Sequence, residues 1–416
     1  MPGQWLLGGF FERGCVQRGD RGGFFRYRRR DYTETRSGWR GSSGPGLHPI
    51  EDGFYFLPMA TLISQIPDTA QAALEAARLT DKFGRRITDL RVSVTDRCNY
   101  RCVYCRAGEA ETPPSELPME DYLRMVRVFA GLGIEKVRLT GGEPLLRRGL
   151  VELVQELSLL RTPDRYGLDG QIVPGRKLDI ALTTNGHLLA AMAQPLRDAG
   201  LDRVTVSMDA VEPETFARIT RVPGSFDHVL RGVRAARDTG LGPVKVNCVL
   251  LRGFNDDQIV PFAVFARTEG VIVRFIEFMP LEEDRIWAPD TVVPLDEVLE
   301  RLRVFKPVVA LKANAPSETA RRYTFKDGVG EIGVIAPVSQ AFCGACSRVR
   351  LTSDGKIRTC LFSHFDHDLH GVMRGGGSDA EMVQFIEATI QKKEARHHIG
   401  EAGFLQPGRT MVHIGG

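Results

Sequence analysis

The sequence predicts an α/β fold: a partial (β/α)6 TIM-like barrel closed by a smaller C-terminal α+β module. Three observations carry this. Short apolar, β-branched runs recur between residues 90 and 278. Helical patterns separate most of them, and such alternation marks a parallel sheet with crossover helices. Beyond about residue 290 the alternation stops. Six strands fall short of the eight of a full barrel, which leaves one side for the C-terminal module.

The runs, in order, are "LRVSVT" (90–95), "KVRLT" (136–140), "LDIALTT" (178–184), "RVTVSM" (203–208), "VKVNCVL" (244–250) and "VIVRFIEF" (271–278). Between them, "MEDYLRMVRVFAGLG" (119–133) and "FDHVLRGVRAARDTG" (226–240) space their apolar residues helically and stop at glycine. "PLDEVLERL" (294–302) and a segment at 378–394 read as helices of the closing module. The domain plan is an Arg/Gly-rich N-terminal extension (1–75), the barrel (76–290) and the C-terminal module (291–416), which ends in Gly-Gly.

Residues 1–50 hold nine arginines, no lysine and four acids, a charge of +5, whereas the 416-residue chain carries only +3. The extension has no helical or strand period and reads as disordered, with Cys15 unpartnered. Met59, opening "MATLISQIPDTA", reads as a natural translation start. No apolar run approaches the roughly 20 residues of a membrane span. The small net charge gives no overall bias toward nucleic acid.

Six of the eight cysteines form two trios. Cys98, Cys102 and Cys105, in "TDRCNYRCVYC" (95–105), follow the first strand, at the end where βα folds place their chemistry. Structural zinc wants four ligands and a disulfide framework an even count. Three thiolates instead suit a four-iron cluster with one iron left for a small molecule. "TGGEP" (140–144) follows the second strand, where paired glycines permit close backbone approach to a ligand. Asn185, Ser207 and Asp209 end later strands, as caps or as ligand contacts.

Cys343, Cys346 and Cys360 read C-x2-C-x13-C, with His364 four residues on. A Cys3His zinc site and a second cluster with a vacant iron are both open readings. Arg348 and Arg350 share one face if "CSRVRLTSDGK" is a strand, and two guanidinium forks there suit phosphate. Arg91 and Lys245 lie in otherwise apolar strands, where a long cation needs an anionic partner or a polar lumen. Cys248 reads as a small buried hydrophobe. His364, His367 and His370 read as a polar loop or helix face, His397 and His398 as tail residues, and Arg147 and Arg148 as surface charge.

The C-x3-C-x2-C run with Tyr104 before its last cysteine resembles the radical S-adenosylmethionine (SAM) superfamily. Taken with "RLTGGEPL", "LTTNG", "NDDQI", "RFIEFMP", the second trio and its R-x-R, the chain from about Leu90 to Gly416 resembles the MoaA family, the GTP 3′,8-cyclases of molybdenum cofactor biosynthesis. The resemblance implies two [4Fe-4S] clusters, one on each trio, and SAM as cofactor. It places Tyr104, Gly141, Gly142, Glu143, Ser207 and Met279 around SAM. The second cluster's open iron would hold the guanine of GTP. Arg91, Lys136, Arg138 and Thr183 would surround the nucleotide together with Lys245, Arg348, Val349 and Arg350.

The implied reaction starts with a 5′-deoxyadenosyl radical that takes hydrogen from C3′ of GTP. The ribose radical then adds to C8, giving 3′,8-cyclo-7,8-dihydro-GTP. The resemblance further implies a cytoplasmic homodimer, an external electron donor and hand-over to a cyclic pyranopterin monophosphate synthase, with neither membrane nor nucleic acid as partner. It also implies that Gly415 and Gly416 reach the active site. Two other readings compete: a two-cluster radical SAM enzyme that modifies peptides, and a zinc-stabilised RNA-binding protein with an Arg/Gly arm.

Overall fold

Each of the six apolar runs forms a strand: β1 Asp89–Ser93, β2 Lys136–Thr140, β3 Asp179–Thr184, β4 Arg203–Ser207, β5 Lys245–Leu250 and β6 Ile272–Glu277. All are parallel and pair in chain order. The structure is a computed structural model that describes residues 49–50, 54–55, 79–106, 116–166 and 171–415. Most of the N-terminal extension, with Cys15 and Met59, lies outside the described residues, as does Gly416. Two units divide the chain, Met1–Glu75 with Gly167–Gln171, and Ala76–Tyr166 with Ile172–Gly416. In the first, Pro49–Ile50 pairs antiparallel with Phe54–Tyr55; the second contains the barrel.

Helices α1 Met119–Gly131, α2 Leu150–Leu159, α3 Leu189–Asp198, α4 Pro213–Thr220, α5 Phe226–Asp238 and α6 Ile259–Glu269 connect the strands. The first shows why. Tyr122, Met125, Val126 and Phe129 recur at three- and four-residue spacing, so one stripe is buried. Glu120 and Asp121 face the positive end of the helix dipole. Burying each such large apolar side chain stabilises the fold by about 1.5–3 kcal/mol.

The C-terminal part contributes α7 Leu295–Phe305, β7 Val308–Leu311, β8 Arg321–Phe325, β9 Glu331–Ile335, β10 Arg348–Leu351, β11 Lys356–Arg358, β12 His367–Asp368, α8 Leu369–Arg374, α9 Asp379–Ile390 and α10 Met411–Ile414. Its strands do not form a separate layer. One sheet of twelve strands runs β7-β8-β9-β6-β5-β4-β3-β2-β1-β10-β11-β12. β9 pairs parallel with β6, and β10 pairs parallel with β1. Both edges of the six-stranded barrel sheet are thereby covered, and residues 336–347 run from one edge to the other.

Successive strand residues face opposite ways. Leu90 and Val92, Val137 and Leu139, Ile180 and Leu182 are at most 1% exposed and lie in the apolar core. Their alternates face the lumen, and these carry the charge.

Three expectations need correction. His364, His367 and His370 share no helix face. His364 is exposed, His367 sits in β12, and His370 is buried in α8 with Nε2 3.0 Å from Asp121. Arg147 is not surface charge: it pairs with Glu116 at 2.5 Å and donates to the carbonyl of Leu117, while Arg148 is exposed. His397 is no loose tail residue, because its ring packs 5.2 Å from that of Phe362.

Candidate active site

A cavity of about 460 Å³ fills the lumen, and all six cysteines of the two trios line it. Strand direction puts the trios at opposite ends. Cys98, Cys102 and Cys105 follow the C-terminal end of β1. Cys343 and Cys346 precede β10, which is parallel to β1; Cys360 follows β11, which is antiparallel to β10. The second trio therefore gathers at the N-terminal ends of the barrel strands.

Register stacks the lumen cations between them in two tiers. The lower tier reads Arg348, Asp89, Lys136, Asp179 on four adjacent strands, so its charges alternate. Lys136 Nζ lies 3.9 Å from Asp89. The tier above reads Arg350, Arg91, Arg138, Ala181, Arg203. Arg350, Arg91 and Arg138 thus sit side by side on three strands about 4.8 Å apart, although like charges directly opposite destabilise a sheet.

The strain shows in the ionisation. Burial, then the cations Arg350, Arg348, Arg138 and Arg274, press the Arg91 pKa well below its usual range. Burial and Arg203 lower Arg138 to about 10, while burial and Arg348 lower Arg350 to about 10. The Nε atoms of Arg348 and Arg350 are buried without a hydrogen-bond partner among the described residues. Arg138 reaches the hydroxyls of Thr183 and Thr205, each at 3.2 Å. Lys245 lines the same lumen; burial and Arg274 lower it to about 8. The arrangement is built to receive a polyanion.

At the first trio the surroundings are different. Burial pushes Cys98 up to about 11 and Cys105 up to about 12, with Glu143 and Glu283 among the anions acting in the same sense. Tyr104 donates to Asp209 at 2.7 Å, and burial raises the Asp209 carboxyl to about 6. Tyr104, Gly141, Gly142, Ser207 and Met279 all line the cavity, as do Asn185 and Asp209. The glycine pair has a packing reason. A Cβ on Gly141 would lie 2.4 Å from the Thr95 carbonyl oxygen, and one on Gly142 would lie 2.3 Å from that of Arg97. Only glycine lets the β2 loop lie against the loop that carries the cysteines.

Glu143 and Val349 do not line the cavity. The Glu143 carboxylate accepts from Leu145 N (3.0 Å), Thr184 Oγ1 (2.7 Å) and Asn185 N (2.7 Å), which fastens the β2 and β3 loops together. The Val349 side chain is buried in the apolar core, on the opposite face from Arg348 and Arg350.

At the second trio, burial raises the Cys360 thiol, yet at Cys346 Arg348 and Lys393 outweigh burial and hold that group near 6. Arg348 Nη2 lies 3.4 Å from Cys346 Sγ, and its guanidinium stacks 5.0 Å from the Phe342 ring. His364 is exposed and does not join the lining, so the Cys3His zinc set is not assembled. Among the described residues, no three His, Cys, Asp or Glu side chains converge as a single ion requires. Both trios fit a larger group instead. Each presents three free thiols to the lumen, and metal coordination would deprotonate even the raised ones.

The tail returns to the first end. Arg409 pairs with Asp354 at 2.7 Å and with Asp366 at 2.6 Å, and Met411 and Val412 line the cavity. Gly415 has φ +67°, and a Cβ there would lie 2.5 Å from Thr140 Cγ2. Gly416 lies outside the described residues.

Sequence reasoning missed Arg274, Arg203 and Lys393, which all line the cavity. Arg274 was legible by the reasoning used for Arg91, since it sits mid-strand in an apolar run. It donates to Asn247 at 2.9 Å, and burial and Arg138 lower it to about 9. Lys393 gave no signal, because only the tertiary fold carries the residues after α9 beneath the second trio.

Known proteins accord with this geometry. The radical SAM superfamily profile matches residues 92–266, and the Molybdenum Cofactor Synthesis C profile matches 271–399. The chain is 42% identical over 321 residues to GTP 3′,8-cyclase of Acidothermus cellulolyticus, covering 76% of this chain and 85% of that protein. It is 39% identical over 344 residues to GTP 3′,8-cyclase of Syntrophomonas wolfei, covering 81% and 100%. Among solved structures, Streptococcus suis SuiB bound to S-adenosylmethionine aligns over 78% of this chain and 72% of that one, with TM-score 0.53 at 13% identity, a likeness of fold alone. With two relatives near 40% identity over most of both chains, and both profiles in the expected order, this chain belongs to the MoaA family of GTP 3′,8-cyclases within the radical SAM superfamily.

Proposed function

We propose that the lumen holds SAM and GTP between two [4Fe-4S] clusters, and that the chain cyclises GTP to 3′,8-cyclo-7,8-dihydro-GTP in molybdenum cofactor biosynthesis. One observation carries the reading: two opposed cysteine trios face a single cavity with an uncompensated arginine tier between them. Cys98, Cys102 and Cys105 would hold one cluster, and Cys343, Cys346 and Cys360 the other. The first cluster would supply the electron that cleaves SAM.

The protein's own work is binding and orientation. Arg350, Arg91 and Arg138 receive the triphosphate, with Lys245 and Arg274 completing the cation wall. Loss of mutual repulsion on neutralisation adds to the affinity of each contact. The other end suits SAM, a sulfonium cation, because Asp209 and Glu143 stand near the first trio. Ser207, Tyr104 and Met279 lie where they can fix its orientation. Glu143 acts indirectly, as the brace of the two loops. The tail, clamped by Arg409, brings Gly415 above the arginine tier, beside Thr140 and Ser93. Six lumen thiols suit a reducing compartment such as the cytoplasm. An external electron donor, hand-over of the labile product and a homodimer complete the proposal.

The test is anaerobic reconstitution followed by iron counting and product analysis. About eight irons per chain are expected, with 5′-deoxyadenosine released only when GTP is present and a cyclised nucleotide formed alongside it. Release at one rate with or without GTP, and no altered nucleotide, would overturn the reading.

A further inference from the structure

Residues 312–320 join β7 to β8; Lys312, Ala313, Asn314 and Pro316 are exposed, while the second half of the loop lies against the lumen. Asn314, Ser317, Glu318 and Thr319 line the main cavity. A second cavity of about 330 Å³ lies beyond the loop, and Lys245, Arg274, Asn314 and Glu318 line both. The loop is therefore the partition between the two. Its seat requires Gly333 of β9, where a Cβ would lie 3.0 Å from Arg274 Cγ and 3.2 Å from Ala320 Cβ.

Four carboxylates line the main cavity, and three are committed to other elements. Asp89 accepts from Ser347, Asp179 pairs with Arg203, and Asp209 accepts from Tyr104 and from Val249 N. Glu318 differs. Its hydrogen bonds come from its own loop, from Asn314 N at 2.6 Å and Asn314 Nδ2 at 3.2 Å. It lines both cavities together with Lys245 and Arg274, and its charge favours their ionised forms.

We propose that Glu318 is a resident counter-ion of the phosphate site, displaced by substrate, and so a specificity-determining residue. The inference rests on the cation wall being the triphosphate site. In the ligand-free protein the carboxylate offsets part of the repulsion between Lys245 and Arg274. An incoming phosphate chain must replace it. The loop is also held from β8, where Arg322 donates to Lys312 O at 3.0 Å and to Asn314 Oδ1 at 2.8 Å, so the Asn314–Glu318 turn moves toward Arg322 and the second cavity. A multiply charged phosphate chain displaces it readily; a singly charged anion does not. The gate thus favours nucleoside triphosphates over the smaller anions that outnumber them.

The test is calorimetric titration of the anaerobic holoenzyme and its Glu318→Gln variant with GTP, inorganic tripolyphosphate and guanosine. The variant is expected to bind GTP and tripolyphosphate about fivefold more tightly, with guanosine unchanged. Unchanged or weaker GTP binding by the variant overturns the proposal; weaker binding would make the carboxylate a substrate contact. Amide exchange on the unaltered protein gives a second reading that needs no variant: GTP should speed exchange over residues 314–319, and protection there would equally overturn it. Failure of the unaltered holoenzyme to bind GTP would instead bring down the reading of the cavity itself.

Discussion

The two cysteine trios are alike in number and opposite in surroundings. Around Cys98, Cys102 and Cys105 burial and nearby carboxylates raise every thiol of the trio, although Arg106 opposes them at Cys98 and Cys105. Around Cys346 the charges are Arg348 and Lys393, which outweigh burial and hold the thiol near 6. One end of the lumen is tuned for a cation and the other for an anion. A field of that shape sorts a sulfonium from a polyphosphate before any specific contact forms. The same contrast repeats within the sheet, where an alternating tier lies directly beneath an arginine tier.

The sharpest way to break the comparison is to disable one trio at a time. Cys102→Ser should halve the iron content and abolish 5′-deoxyadenosine formation altogether. Cys346→Ser should also halve the iron, yet keep SAM cleavage while losing cyclisation and its dependence on GTP. Identical phenotypes would mean that the ends are not specialised.

The tiers predict a smaller and two-signed effect. Arg91→Met removes a cation from the uncompensated tier. It should stabilise the ligand-free protein by about 1 kcal/mol while weakening GTP binding about thirtyfold. Lys136→Met, in the alternating tier, strips Asp89 and Asp179 of their neighbour. It should destabilise the protein and weaken GTP binding only a few-fold. Denaturant titration and calorimetry read both signs, and equal shifts for the two variants would dissolve the distinction.

Smallest is a pH effect. Lys245 has a folded pKa near 8, below its ordinary 10.5. Between those values the folded state holds fewer protons than the unfolded, so the group adds stability as pH rises through that window. In the proposed phosphate site GTP would pair with the charged amine. Its Kd should therefore rise above pH 8, by at most tenfold per unit, with proton uptake on binding. Lys245→Arg should flatten the profile, and an unchanged slope would remove Lys245 from the phosphate site.

Much of this was legible in the chain itself. Strand alternation is local, so Arg91, Arg348 and Arg350 could be placed on lumen-facing positions from spacing alone. Paired glycines after β2 announced a close approach, although what approaches is the cysteine loop as well as any ligand. Glu143 is where the fold adds most: the sequence offers a carboxylate beside two glycines, and only the structure supplies the three donors that make it a brace between loops. The alternation that turns Arg348 and Arg350 inward turns the Val349 side chain into the core.

The sequence by itself determined the six strands, the two trios and the alternation that turns cations inward, because each depends on residues only a few positions apart. The tertiary structure alone decided that Arg350, Arg91 and Arg138 stand in one row, that Lys393 lies beside Cys346, and that Glu318 lines the same cavities as Lys245. These depend on register between strands separated by 259 residues (Arg91 to Arg350) and on loops folding back into the lumen. Pairing of that kind is set by the packing of the whole barrel, and no local pattern encodes it.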